Sequence, residues 1–394
     1  MPSLGILDRD RIIAKPGFNR WLQPPAALAI HLSIGQAYAY SVFKLPLTRL
    51  IGITQPAPDD WSQTQIALVF TIFIVVLGLS AALFGRWVER AGPRKAGVAA
   101  ALCWGGGYLV AALGVRLHAL WLVYLGNGLI GGCGLGLGYI SPVSTLLKWF
   151  PDRRGMATGM AIMGFGGGAL IGAPLADLLM RQFASTTSTG VGATFVVMGV
   201  LYLAAMLCGA FGYRLPPPGW RPQGWAPPAG ADAQATGRSA TADEAWKTPQ
   251  FWLLWVVLCA NVSAGIGVLE QASPMIQEIF RGRVTASAAA GFVGLLSLFN
   301  IAGRIGWASL SDRIGRRTTY AIFFALGIAL YASVPAAGGA GSVPLFVAIF
   351  CVILTMYGGG FATIPAYLRD MFGTVQVGAI HGVLLTAWSA AGIA

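Results

Sequence analysis

This chain holds few of the residues that do chemistry in water, and each shortage removes a class of protein. Only 10% of its 394 residues are charged, where an ordinary soluble domain carries about 25%, so a core wrapped in a water-facing surface is excluded. The three histidines, His31, His118 and His381, have no acid or nucleophile at helical spacing and no metal-ligand pattern around them. Acid–base and metal-assisted catalysis thereby lose their usual carriers. The five cysteines, at 103, 133, 208, 259 and 351, all fall inside apolar stretches and read as core thiols without a disulfide framework. The formal net charge is +12, yet the basic residues alternate with apolar stretches and never gather on one aromatic-studded face. Nucleic acid is not an expected partner. Neither an enzyme activity nor a cofactor or metal is expected.

What is present is hydrocarbon-compatible surface: 56% of residues are hydrophobic and the mean hydropathy is +0.68. Stretches of about 20 apolar residues, enough to cross roughly 30 Å of lipid tails, recur at 25–49, 65–86, 97–115, 119–144, 157–176, 190–213, 251–274, 286–308, 318–336 and 343–366. An eleventh begins near 377 and runs to Ala394, an expected truncation within that helix. The run "GLIGGCGLGLG" at 128–138 reads as close helix packing; no Lys follows it at the spacing of a phosphate-binding loop.

Charge placement sets an expected topology. Most Lys and Arg fall in the segment before the first span and in alternate loops after it, which puts the N-terminus in the cytoplasm by the positive-inside rule. Residues 1–24 read as a cytoplasmic tail with no cleaved signal. A Pro-, Ala- and Gly-rich stretch at 214–248 reads as a flexible cytoplasmic linker. It divides the chain into a six-helix bundle at 25–213 and a second, incomplete bundle at 249–394, in an all-α polytopic fold.

The two sides repeat each other. "GRWVERAGPRK" follows the second span and "ASLSDRIGRR" the eighth, aligning Glu89, Arg90 and Gly92 with Asp312, Arg313 and Gly315. Such acid–arginine loops suit a gate whose charges pair across the halves in one state and separate in the other. On these duplicated motifs the chain resembles the major facilitator superfamily, which implies two six-helix halves around a central cavity. The first loop departs from that pattern with Glu89 for Asp and Pro93 for the basic residue after Gly92.

Arg304 stands in the middle of the eighth span, eight residues before Asp312, or about 12 Å along a helix. An arginine that deep faces a polar cavity or an anion. Nearby acids are scarce: Asn300, one turn earlier, is neutral, and Glu270 of the seventh span is the intramembrane carboxylate in view and the candidate for proton coupling. The expected partner of Arg304 is therefore the substrate, a small organic acid matched to the parallel donors of guanidinium. Gln36, Tyr38, Tyr40 and Lys44 of the first span, Tyr139 of the fourth, and Tyr357 and Phe361 of the tenth are collected as further lining.

A narrower resemblance rests on "GYISPVSTLLKWFPDRRGMATGMAIMGFGGGALIGAP" (138–174), "NVSAGIGVLEQASPMIQE" (261–278) and "HGVLLTAWSAAGIA" (381–394). These are similar to the oxalate/formate antiporter family. The resemblance implies that Arg304 binds carboxylate, and it matches Trp388 to a substrate-binding lysine of the oxalate exchanger, so one carboxylate fits better than two. The related monocarboxylate transporters match Arg304 and Lys44, with Asn300 in place of their acid. The expected function is secondary transport of small organic anions, monocarboxylates such as formate, lactate or acetate with oxalate as a further candidate, and a proton or a second anion as co- or counter-ion. It works as a monomer in the inner membrane, with the anion bridging Arg304 to Gln36, Tyr40 and Tyr139. The competing reading is an exporter of apolar or drug-like compounds, suggested by "GGGALIGAP" at 166–174; a sensor on the same fold would add a soluble signalling domain.

Overall fold

The protein, seen in a computed structural model, is described for residues 5–225, 240–373 and 377–393; residues 226–239 of the expected linker lie outside these. Nine helices among the described residues are long and apolar enough to cross a membrane: Gln63–Ala91, Pro93–Arg116, Leu120–Trp149, Gly159–Phe183, Val191–Gly212, Pro249–Ile279, Ala286–Ile314, Arg316–Gly339 and Val343–Phe372. They are the second to tenth spans. Local sequence starts and stops them. Ser62 and Gln65 close a capping box at the head of the second, and Thr248 and Thr285 accept backbone N–H groups at the heads of the seventh and eighth, each satisfying donors that a helix start leaves open.

The first span is not one continuous helix. It runs as Gln23–Gly35, a 3-10 turn Gln36–Ala39, and Ser41–Leu47. At the break, Gly35 lies against the backbone of Phe165 and Gly168 lies against Gly35, so the first and fifth spans meet backbone to backbone, with no room for a side chain between them. The eleventh span is likewise in two pieces, Val377–Leu384 and Thr386–Ala391. The fourth passes from an α turn, Leu120–Val123, into a wide π stretch, Tyr124–Gly131, and its glycines do the packing expected of them: a methyl on Gly134 would sit 2.6 Å from the backbone nitrogen of Trp104.

Within the first six spans the third packs along the sixth and fourth, and the first along the fourth, fifth and sixth; among the later spans the eighth packs along the tenth. Between the groups, the fifth lies along the eighth, the second along the eleventh, and the first against the seventh. The described ends of the linker are pinned rather than free. Leu215 donates its N–H to the Ile12 carbonyl at 2.9 Å, Trp220 packs on Trp149 at 4.9 Å between ring centroids, and Thr241 caps the short helix Ala242–Ala245. Aromatic burial explains why this Pro-rich stretch is held at its start.

The fifth helix reaches Phe183, beyond the expected end at 176. That extension brings in a buried acid missed in the sequence, Asp177, paired with Arg181 at 3.1 Å.

Candidate functional site

Both duplicated loops turn on glycine. Gly92 (φ 88°, ψ 158°) and Gly315 (φ 87°, ψ 153°) each end one helix and start the next, at a positive φ that other residues adopt only under strain. The conformations match, but the ion pairs do not. Arg316, just after Gly315, reaches back to Asp312 at 2.6 Å and across to Asp370 at 3.4 Å. In the first loop Pro93 occupies that position and offers no charge, so Glu89 takes Lys148 of the fourth span at 2.7 Å and the Ser144 hydroxyl. Arg90 and Arg313, expected as gate arginines, are exposed. Each loop acid therefore pairs within its own group of spans.

A cavity of about 1260 Å³ opens between these loops. Its mouth carries Glu89, Lys148, Asp312 and Arg316, and it ends on Tyr139, Ile162 and Arg304. The loops thus mark an open face of the bundle. Arg304 is buried, 3% exposed. Its Nε donates to Asn300 Oδ1 at 2.9 Å and one terminal nitrogen, Nη1, donates to the Ile162 carbonyl at 3.1 Å, while its guanidinium carbon lies 5.6 Å from the Phe361 ring centroid. A methyl at Gly166 would meet Arg304 Nε at 2.8 Å, so the glycine is what lets the fifth span come this close. The other terminal nitrogen, Nη2, is buried with no hydrogen-bond partner.

Aromatic side chains close the space beyond Arg304. The Trp388 ring centroid lies 4.4 Å from that of Phe361, tilted to it, 5.6 Å from Tyr139 and 5.4 Å from Phe165; Phe165 in turn lies 5.0 Å from Tyr38, and Tyr38 lies 5.8 Å from Tyr357. The Tyr38 and Tyr357 hydroxyls share a 2.8 Å hydrogen bond. Tyr139 Oη and Trp388 Nε1 are buried without partners. Among the described residues, Arg304 Nη2, Tyr139 Oη and Trp388 Nε1 thus line one aromatic chamber buried and without a completed hydrogen bond, and the phenol oxygens beside the guanidinium are neutral acceptors. Unmet donors of this kind are costly unless a ligand or water completes them.

Six expected residues are therefore brought together: Arg304, Tyr38, Tyr139, Tyr357, Phe361 and Trp388. Two are not. Gln36 accepts a hydrogen bond from Tyr108 of the third span, and Tyr40 packs on Phe43, Phe70 and Phe73, both inside the first six spans. The expected i, i+4 alignment assumes an α-helix, but Gln36–Ala39 is a 3-10 turn with a different period, and Tyr38 is the residue turned to the chamber. Lys44 and Glu270 meet each other. Their 3.0 Å pair joins the first and seventh spans away from the open face, and Gln63 donates to Glu278 at 2.8 Å on the same side. This second face is sealed. Phe165 lies outside the expected lining; the signal for it in the sequence is a lone aromatic between Gly164 and Gly166, glycines against which the side chains of His31 and Arg304 press close.

A family model described as Major Facilitator Superfamily matches residues 17–394. Among characterised relatives, the oxalate:formate antiporter of Oxalobacter formigenes is 27% identical over 381 residues, 95% of this chain and 83% of that protein. The apicoplast pyruvate carrier 1 of Toxoplasma gondii is 26% identical over 338 residues, 71% of this chain and 60% of its own length. A solved D-xylose-proton symporter superposes with a TM-score of 0.67 at 15% identity, covering 95% of this chain and 88% of that one. That last likeness concerns the fold alone.

Proposed function

The chain belongs to the major facilitator superfamily, and from that premise we propose that it is a secondary transporter of small monocarboxylate anions, working as a monomer by alternating access. The observation that carries this reading is the Nη2 of buried Arg304, which completes no hydrogen bond and faces a chamber where Tyr139 Oη and Trp388 Nε1 complete none either. A carboxylate supplies two acceptor oxygens and one negative charge, which answers all three donors and the buried cation together. The relatives named for oxalate, formate and pyruvate support an organic acid. With Trp388 rather than a second cation beside Phe361, the chamber balances one carboxylate and leaves a second one uncompensated.

The open face carries the duplicated loops and the basic residues, so it is assigned to the cytoplasm of a cell inner membrane, with the N-terminus on the same side. The anion enters through the cavity, reaches Arg304, and the two groups of spans rock about it. Opening the sealed face requires Lys44–Glu270, Gln63–Glu278 and Tyr38–Tyr357 to part, while Glu89 and Asp312 become available for pairing across the closing loops.

The test is uptake of labelled formate, acetate, lactate, pyruvate and oxalate by the protein in liposomes, against Arg304→Ala and Arg304→Lys. Saturable monocarboxylate uptake is expected, reduced at least about tenfold in Arg304→Ala by loss of a charge-assisted contact and only partly kept in Arg304→Lys, which cannot make the fork. Uptake indifferent to Arg304, or no uptake of any acid, overturns the reading and leaves export of apolar compounds in its place.

A further inference from the structure

His31 lies in the first span with no exposed surface, and its surroundings are unusual for an imidazole. Nε2 is 3.0 Å from the carbonyl oxygen of Tyr139 in the fourth span, and Nδ1 faces the carbonyl oxygen of Ala161 in the fifth. A carbonyl oxygen accepts and cannot donate. A neutral imidazole has one N–H and one lone pair, so in either tautomer one ring nitrogen turns its lone pair toward an oxygen lone pair. The imidazolium ion, with an N–H on both nitrogens, satisfies both contacts. Pro142 adds to this setting: it has no N–H to close the helix bond to Gly138, and the Gly138 carbonyl is also directed at the ring.

The same turn of the fifth span serves Arg304. Its Nη1 takes the carbonyl of Ile162, the residue after the one that faces His31, and the His31 ring lies 5.6 Å from Tyr139 and 6.4 Å from Phe165 of the chamber. Among the described residues, the charged group that acts on the imidazole is Arg304 from the eighth span; the fourth span presents the Tyr139 ring and backbone carbonyls, and the fifth presents Gly164, Phe165 and backbone. The sole charge in reach is thus a cation. With the chamber empty, burial first and the Arg304 charge second oppose a positive charge at His31, although both ring nitrogens face carbonyl oxygens. A carboxylate on Arg304 cancels the second of these and leaves the carbonyls to offset the first.

We propose that His31 is the proton-carrying residue of this transporter, taking up a proton as the anion binds Arg304 and releasing it as the anion leaves. The proposal rests on the anion reading of Arg304. The proton comes from water in the cavity, which reaches Tyr139 and Ile162; one N–H bond forms on the ring, and its charge is balanced by the bound carboxylate. Anion and proton then cross together. Glu270, the acid expected for this task, is engaged with Lys44 on the sealed side and is left to hold that face shut.

Proton uptake on adding formate, acetate or lactate to the purified full chain in weakly buffered detergent, read with a pH-sensitive dye, tests this directly. About one proton per bound anion is expected, with anion affinity rising by up to about tenfold for each pH unit of acidification. In His31→Gln the proton uptake and the pH dependence disappear while anion binding persists. Nitrogen-15 resonances of labelled histidine in the unaltered protein give a second reading that needs no variant: both ring nitrogens of His31 should carry protons with the anion bound, and the state should reverse on its removal. Anion binding without proton uptake, uptake retained in His31→Gln but lost in Glu270→Gln, or a ring that stays neutral with anion present would each overturn the proposal. Absence of anion binding by the unaltered protein would instead overturn the transport reading on which it stands.

Discussion

The sealed and open faces use the same vocabulary of acids, bases and hydroxyls and differ in whom each group chooses. On the sealed side Lys44–Glu270, Gln63–Glu278 and Tyr38–Tyr357 all run between the first six spans and the later ones. On the open side Glu89 and Asp312 turn to Lys148 and Arg316 within their own groups. The pair from the second span to the linker, Arg86–Asp243 at 3.2 Å, is between exposed side chains. Burial separates the two sets as well. The Lys44 and Glu270 side chains are 1% and 20% exposed, against 32% and 54% for Lys148 and Glu89. A contact made in low dielectric is strong and expensive to break one-sidedly, and one made at a wet mouth is weak and easily exchanged. The asymmetry lets one face hold while the other stands open.

The largest effect should come from breaking the buried latch. Lys44→Ala strands the Glu270 carboxylate, a loss near the lower end of the about 3 to 5 kcal/mol seen when a buried pair loses one partner, since Glu270 keeps some access to water. A cysteine placed at buried Ser41, in a background without the native cysteines, should become reactive to an impermeant maleimide from the sealed face. Exchanging the two charges, Lys44→Glu with Glu270→Lys, should restore part of the protection. If the Ser41 position stays protected in Lys44→Ala, the latch does not hold that face and the contrast collapses.

A smaller effect belongs to a pair that both conformations should keep. Arg20 grips both oxygens of Asp152 at 2.6 and 2.8 Å at the foot of the fourth span, and its hydrogen bonds chiefly hold the Asp152 carboxyl below the ordinary range, although partial burial pushes the other way. Because the folded value is depressed, the pair contributes stability above the unfolded pKa of about 4 and loses it as pH falls through the lower folded value. Asp152→Asn should cost about 1 kcal/mol near neutral pH and remove this part of the acid sensitivity in thermal unfolding, while leaving Ser41 labelling unchanged. A change in labelling would mean that the foot of the bundle also takes part in gating.

The smallest effect is at the open mouth. Lys148→Ala frees Glu89 from its own-side partner, making a bond across the loops competitive by a few tenths of a kcal/mol up to about 1. Labelling of a cysteine at Ala366, a cavity-lining position, should fall modestly. No change would remove Glu89 from the gate.

Much of this was legible in the residues. Apolar length marks the spans because lipid offers the backbone no partners, and the two acid–arginine–glycine loops announce themselves as a repeat, realised in nearly equal dihedrals at Gly92 and Gly315. A lone arginine at mid-depth points to a cavity, and five of the aromatics collected with it meet around it. The residues that lie away from the chamber share a cause. Helical spacing groups Gln36 with Tyr40, but it tells neither which way a face looks nor where a 3-10 turn breaks the period. Lys44 and Glu270 were each assigned to a different task because 226 positions separate them, and no pattern along the chain shows that they meet.

The sequence by itself determined the solvent this protein lives in, the order and approximate places of its spans, and the presence of one costly cation among them, since hydropathy and charge act locally and sum along the chain. Only the tertiary structure decided which charges are answered and which are left waiting. Lys44 finds Glu270, His31 finds two carbonyls, and Arg304 keeps one donor without a partner, because pairing depends on distance and desolvation between segments that the chain order keeps far apart.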